Sequence, residues 1–330
     1  MKPSLSQRKR FGTHEFGASG LFPFKCFPPA NVQHQKFANL NAMRIFEICP
    51  FNDENLIAGI KMGESKNFVS ELHVTEANRT FRFEHKDYAF AHEGDPMVKY
   101  HKIDGDRLFV GNVLRLKRNY PFITKDVNPW KNEATQRNFA TTLIEPEDND
   151  IVVLSDIDEI ISEANWEKLI SETLKRGIVT VGLHFSLYYF NLFSSNWPGP
   201  PDYSYRLFSM TGKHFKNLKM SSDELRKMGE KGSLKNSVHR IPGFMGFHHS
   251  WLGDTDTIAK KLSAYSHSKA DHSSQIYEIG GGIDKQEISK LLRSNSSLFG
   301  AEHKLIVRND IPLLGSVERL PPEILAKYLT

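Results

Sequence analysis

Ile151-Val-Val-Leu-Ser-Asp-Ile-Asp-Glu-Ile160 is the stretch from which the fold of this chain can be read. Its first four residues are apolar without a break, and three are β-branched. Such a run suits a short strand buried on both faces, as strands are in a parallel sheet. Asp156 and Asp158 follow it directly. In open α/β sheets ligands bind beyond the carboxyl ends of strands, so the two carboxylates stand where chemistry is done. Acids at i and i+2 on extended chain can aim at one point. A hard divalent cation takes such oxygens and shares itself with a substrate diphosphate, acting as Lewis acid and template. The other reading is that they cap a following helix or solvate a turn.

Outward from this stretch, strand-like and helix-like segments alternate. Arg44 to Cys49 reads as a strand closed by Pro50, and Glu54 to Met62 carries Leu56, Ile57 and Ile60 at helical spacing. Asn67 to Thr75 alternates as a strand does, and Met97 to Ile103 is a weaker candidate. Asn128-Pro129 opens a helix running to about Ile144, with a capping side chain and then Pro at the first helical position. Trp166 to Leu174 is helical and stopped by Gly177; Ile178 to Tyr189 is rich in β-formers. Tyr203 to Phe208 is a further strand candidate and Thr255 to Tyr265 a further helix. The alternation predicts an α/β fold with a mostly parallel central sheet flanked by helices. Residues 1–41 are polar, aperiodic and punctuated by Gly and Pro, so a loosely ordered extension is expected there, with a single domain over 42–330.

The 330 residues are 39% hydrophobic and 25% charged, a globular balance. The net charge of +4 is diffuse, and the one dense basic run, Lys2 to Arg10, reads as a solvated tail. With no basic stripe, nucleic acid is not an expected partner. Cys26 and Cys49 make neither a disulfide scaffold nor a zinc motif. No run of about 18 apolar residues predicts a transmembrane segment, and no apolar region after the basic N-terminus marks a secretory signal. A soluble or cytoplasmic protein is therefore expected.

Val153-Leu-Ser-Asp-Ile-Asp-Glu-Ile160 resembles the Ser-Asp-(Val/Ile)-Asp-Glu-Ile segment of family 17 glycosyltransferases, whose best-known members are β-1,4-mannosyl-glycoprotein β-1,4-N-acetylglucosaminyltransferases. Phe51-Asn-Asp-Glu54 is similar to the family's Phe-Asn-Asn-Glu, and Val74-Thr-Glu-Ala-Asn-Arg-Thr-Phe81 to its Glu-x-x-x-Thr-Phe. Asn132-Glu133 with Gln136-Arg137 looks like its Asn-Glu-x-x-Gln-Arg helix. Gly246-Phe-His-His-Ser-Trp-Leu-Gly253 resembles its Gly-Trp-His-x-Ser-x-x-Gly, with Phe247 in place of Trp. Lys261-Leu-Ser-Ala-Tyr-Ser-His267 follows in order. The resemblance spans roughly residues 44–285. It implies a nucleotide-diphospho-sugar transferase fold of the GT-A type. It also implies inverting transfer of a sugar, GlcNAc from UDP-GlcNAc, to a glycan acceptor, with Mn²⁺ or Mg²⁺. A sugar nucleotidyltransferase and a non-catalytic sugar-binding protein are the alternatives.

The resemblance also assigns roles. Asp158 is the expected metal contact, Asp156 a ligand of the ribose or the metal, and His248 a more distant ligand of the metal or diphosphate. Glu159 ligates through water or orients a neighbour, or else is a helix-start charge. Glu133 and Arg137 share a helix face with Trp130, Ala140 and Ile144, so either they satisfy each other or Arg137 also meets substrate phosphates. Lys261 and His267 are candidates for the diphosphate, and Glu54 and Glu76 for the uridine or ribose. An inverting transfer needs a base, for which Asp223 and Glu224 are the candidates. Trp197, Tyr203 and Tyr205 are candidates for stacking on an acceptor sugar.

Overall fold

The apolar run after Arg44 forms strand β1 (Ile45–Pro50), buried along nearly its whole length. Helix α1 (Asn55–Ser65) follows, then β2 (Glu71–Ala77), β3 (Val98–Ile103) and the short α2 (Gly105–Leu108). A separate antiparallel hairpin is made by β4 (Val113–Leu116) and β5 (Ile123–Asp126). Helix α3 (Pro129–Ala140) starts at the predicted proline and ends in a 3₁₀ turn over Thr141–Leu143. The decisive strand is β6 (Ile151–Leu154), all four residues buried. The chain then enters β7 (Glu159–Ile161) rather than a helix, so Glu159 is not a helix-start charge.

The second half begins with α4 (Trp166–Arg176) and the long β8 (Ile178–Leu187). Then come β9 (Leu192–Ser194), β10 (Tyr203–Ser204), β11 (Phe208–Thr211), α5 (Gly212–Lys216) and α6 (Ser222–Glu230). Strand β12 (His239–Ser250) precedes α7 (Thr255–Ala264), α8 (Lys285–Arg293), β13 (Leu305–Val307), α9 (Gly315–Glu318) and α10 (Pro322–Lys327). This computed structural model describes residues 43–111, 113–116, 123–126, 129–195, 203–230, 237–264, 276, 282–300 and 302–330, with backbone alone at β4, β5, β10 and Glu230. The described residues belong to one unit, Ala42–Thr330. The extension expected over residues 1–41 lies outside them.

Eleven of the strands form one sheet, in the order β13-β9-β8-β11-β6-β1-β2-β3, with β10 and β12 also on β8 and β7 on β12. The α/β class is as expected, but the sheet is mixed rather than mostly parallel. β3, β2, β1 and β6 are parallel; α1 connects β1 to β2, and α2 and α3 lie between β3 and β6, while the loop from β2 to β3 contains no helix. β11 then runs antiparallel to both β6 and β8, and β9, β10 and β13 add further antiparallel pairs. Parallel order returns between β8 and β12. The short connection from β8 to β9 carries no helix and makes antiparallel neighbours, whereas α5 and α6 lie between β11 and β12, and α7 and α8 between β12 and β13. The main core lies between this sheet and α1 and α4, around Phe51, Leu72, Val153, Trp166 and Leu183.

Candidate active site

The acidic motif occupies the turn from the end of β6 into β7. It is held from beneath by a charged pair that sequence reasoning missed. Lys61 of α1 is fully buried and its Nζ lies 2.6 Å from Glu47 Oε1 of β1. The same Nζ donates to Ser155 Oγ (3.0 Å) and to the carbonyls of Asp156 (3.3 Å) and Glu159 (2.6 Å). Glu47 is completed by the hydroxyls of Ser155 (3.1 Å) and Ser65 (3.2 Å). Burial favours neutral lysine, but Glu47 outweighs it and the pKa of Lys61 is raised. A buried charge is tolerated when paired and hydrogen-bonded in this way.

Above that pair, Asp156 is clamped between two arginines. Arg137 donates Nε to Asp156 Oδ1 (3.0 Å) and Nη2 to Oδ2 (2.9 Å); Arg226 of α6 donates Nη2 to Oδ2 (2.8 Å). Arg226 also grips both oxygens of Glu159 at 3.0 and 2.9 Å, and Arg137 reaches Glu133 at 2.5 Å. Glu159 accepts the Asp156 backbone N–H as well, at 2.8 Å. Burial works against the Asp156 carboxylate, yet the two guanidiniums hold it well below the usual range. Glu133 and Arg137 are therefore paired through Oε1, while Glu133 Oε2 is buried without a partner among the described residues; Arg137 also pairs with Asp156, and Trp130, expected on the same helix face, is exposed. Arg226 was not anticipated: its partners lie about 70 residues upstream, and only its place among buried Leu225 and Met228 hinted at it.

Asp158 faces the opposite way and meets a different set. Its Oδ1 is 3.4 Å from His248 Nε2 and its Oδ2 3.9 Å from Lys261 Nζ. Lys261 also pairs with Glu54 Oε1 at 3.0 Å. Burial opposes ionisation of Asp158, but His248 and then Lys261 outweigh it and bring its pKa down to about 2. His248 comes from β12, which pairs antiparallel with β7 so that His248 stands opposite Glu159. The strands can lie this close because residue 246 is glycine: a Cβ there would sit 1.9 Å from the Ile160 carbonyl oxygen. His248 Nδ1 is buried without a partner among the described residues.

The structure thus brings Asp158, His248, Lys261 and Glu54 together, and Asp156, Glu159, Glu133, Arg137 and Arg226 into a second group beside them. It does not assemble the expected metal set of Asp156, Asp158 and His248. Among the described residues no group of three or more His, Cys, Asp or Glu is arranged to hold a metal ion. Both Asp156 oxygens are committed to guanidinium N–H groups, so Asp156 does not fit that role. Asp158 and His248 do fit as a pair, an oxygen donor in the turn before β7 and a nitrogen donor on β12; substrate oxygens would complete the shell.

Other expected site residues are engaged by neighbours. Glu76, expected at the uridine or ribose, is buried; its carboxylate pairs with Lys86 and accepts from the Ala89 and Phe90 N–H groups and from Tyr100 OH (2.6 Å). It pins the loop over residues 86–90. Glu224, a candidate base, forms half of a capping box, accepting Ser221 N–H (2.8 Å) while its own N–H donates to Ser221 Oγ (3.2 Å). Asp223 is tied to Lys227 at 2.6 Å and lies 3.9 Å from Arg137, on the Asp156 side of the motif. Tyr205 is buried beneath Arg240 rather than offered to a sugar. His267, Trp197 and the Tyr203 side chain lie outside the described residues.

Residues 31–206 match glycosyltransferase family 17. The chain belongs to that family. The match takes in both acids of the motif and ends before His248, whose part therefore rests on geometry and the resemblance noted above. No curated protein matches this glycosyltransferase. Among solved structures it is similar to the crystal structure of S. aureus TarS 1-349, at 12% identity and a TM-score of 0.32, over 69% of this chain and 68% of that one. It is also similar to the galactosyltransferase LgtC in complex with donor and acceptor sugar analogues, at 12% identity and a TM-score of 0.28, over 60% and 73% of the two chains. Among the described residues no helix is long and apolar enough to cross a membrane.

Proposed function

We propose that this family 17 glycosyltransferase moves a sugar, GlcNAc from UDP-GlcNAc, to a hydroxyl of a glycan acceptor with inversion, using residues 42–330 as its catalytic domain. The observation that carries this is the placement of Asp158. It is an ionised, buried carboxylate just past the end of a buried strand, with His248 and Lys261 beside it. Asp158 and His248 are the residues that would hold Mn²⁺ or Mg²⁺. Such an ion supplies neutralisation of the diphosphate as the glycosidic bond breaks. Lys261, already between Glu54 and Asp158, is within reach of the same charge. Asp156 is read as a positioning residue. By engaging Arg137 and Arg226 it fixes the turn that presents Asp158 and draws α3 and α6 against β6.

The test is hydrolysis of a panel of UDP-sugars by the wild-type chain, with Mn²⁺ and with EDTA. Turnover of UDP-GlcNAc above the other donors, lost in EDTA and in Asp158→Ala, is the expected result. Undiminished turnover in Asp158→Ala would remove the assigned role. If no donor is turned over or bound, the chain is a sugar-binding protein instead.

A further inference from the structure

Two separate observations meet on Trp251, just past the end of β12. The first is its backbone. Trp251 is buried and takes φ 57°, in the left-handed region. A bulky aromatic residue there is an outlier, and such strain persists only where the surrounding structure over-determines it. The neighbouring strand does so here. Tyr188, at the end of β8, is left-handed as well, with φ 65°. Its N–H donates to the Ser250 carbonyl (3.3 Å), and its carbonyl accepts the Gly253 N–H (3.3 Å). These two bonds bracket Trp251 and turn the chain out of β12 toward α7. Glycine would take this conformation without strain; the chain carries an indole there instead. Strained backbone of this kind gathers at functional sites.

The second observation is what the indole meets. Lys261 of α7 holds its Nζ 5.4 Å from the Trp251 ring centroid, within cation–π range. The same Nζ lies 3.0 Å from Glu54 Oε1 and 3.9 Å from Asp158 Oδ2. Lys261 also borders a cavity of about 480 Å³ whose wall includes Glu54 and His249, so a ligand entering that cavity would meet the ammonium. The indole is itself held firmly. It packs in one cluster with Ile258 and Leu262 of α7 and lies edge-on to Phe299 at 6.2 Å. A lysine stem is long and flexible, and ordering it on binding costs affinity. A fixed ring face narrows its positions beforehand, and it does so without adding a formal charge that would compete with an anionic ligand.

We infer, on the UDP-sugar reading given above, that Trp251 is a positioning residue for the transfer. Its strained backbone sets the indole against Lys261 and so fixes the ammonium where the donor diphosphate arrives.

Site-specific replacement of Trp251 by mono-, di- and trifluorotryptophan in the full chain tests this. Fluorine withdraws charge from the ring face that attracts the cation while nearly preserving its volume, so the fold is kept. UDP affinity is measured by titration calorimetry with Mn²⁺. It should fall stepwise along the series, by about threefold to tenfold in all. A merely structural indole would give no such gradation. In Lys261→Met the same series should be flat to within about twofold; where that variant binds too weakly to titrate, the series in the native background decides alone. A flat or rising series in a chain that binds UDP overturns the positioning role and leaves the donor reading standing, as does an equal fall in Lys261→Met. A native chain that binds no UDP removes the donor reading and the role with it.

Discussion

Replacing Lys61 with Met removes the buried cation beneath the acidic turn while keeping most of its volume. Four contacts disappear: Glu47 at 2.6 Å, Ser155 Oγ at 3.0 Å, and the carbonyls of Asp156 at 3.3 Å and Glu159 at 2.6 Å. Glu47 is then left charged and fully buried. Breaking a buried pair in this way costs about 3–5 kcal/mol, or about 4–7 °C in melting temperature for a chain of this size. The double variant Glu47→Leu/Lys61→Met removes both charges. It should recover the charge penalty and keep a loss of about 1–3 kcal/mol at the two orphaned carbonyls and at the Ser155 and Ser65 hydroxyls that Lys61 and Glu47 had engaged. Urea denaturation of the wild type, Lys61→Met and the double variant measures both values. Equal destabilisation of single and double variants would refute the reasoning, because the penalty would then not come from an uncompensated charge. A single variant within about 1 kcal/mol of wild type would refute it as well.

Gly246→Ala drives a methyl group into the Ile160 carbonyl oxygen; a loss of about 1–3 kcal/mol is expected, with activity falling further than stability because His248 shifts away from Asp158, as urea melts and kinetics together would reveal. Glu224→Ala should cost about 1 kcal/mol through its cap and leave turnover of UDP-sugar unchanged, whereas a collapse in turnover would keep it as a candidate base. Asp254 accepts from the Thr257 backbone N–H (3.0 Å) and from Lys327 (3.0 Å), which bring its pKa down to about 2. Its folded-state pKa lies below the unfolded value of about 4, so its contribution is present above that pH and is lost as pH falls through about 2. Asp254→Ala should therefore sit about 1 kcal/mol below wild type at pH 5–7, with the gap narrowing below about pH 4 in pH-stepped denaturation.

The strand Ile151–Leu154 could be read from sequence because nothing but burial on both faces explains four apolar residues in a row. Helix α3 was legible for a related reason: Pro129 fixed its start, and the shared face of Glu133, Arg137 and Ala140 showed that the two charges would be buried together. The identity of their further partner was not legible, since Asp156 lies 19 residues beyond Arg137. Lys61 and Glu47 left one faint signal, a carboxylate between Phe46 and Ile48 and a lysine one helical turn after Ile57. Either alone passes for a surface charge, and only the tertiary contact pairs them. Strand β12 was missed altogether. Pro242 and Gly243 interrupt its pattern, and Gly243 adopts φ 83° where the register against β8 shifts. Such residues mark a bulge in a strand but read as a turn in a sequence. The mixed sheet was hidden because β11, its reversing strand, contributes only four residues.

His248 and His249 are consecutive on one strand, so their rings leave opposite faces of the sheet. One ring meets Asp158, and the other meets Ser186 and the neighbouring cavity. The dipeptide is therefore a partition, with one histidine assigned to each compartment by parity alone. Inserting a single residue between the irregular stretch at Ile241–Gly246 and this pair would reverse that parity and exchange the two rings without altering either side chain. The same insertion ahead of the bulges could be absorbed there. Tolerance to length change along β12 should thus switch from high to low within a few residues, at the point where counting begins to matter.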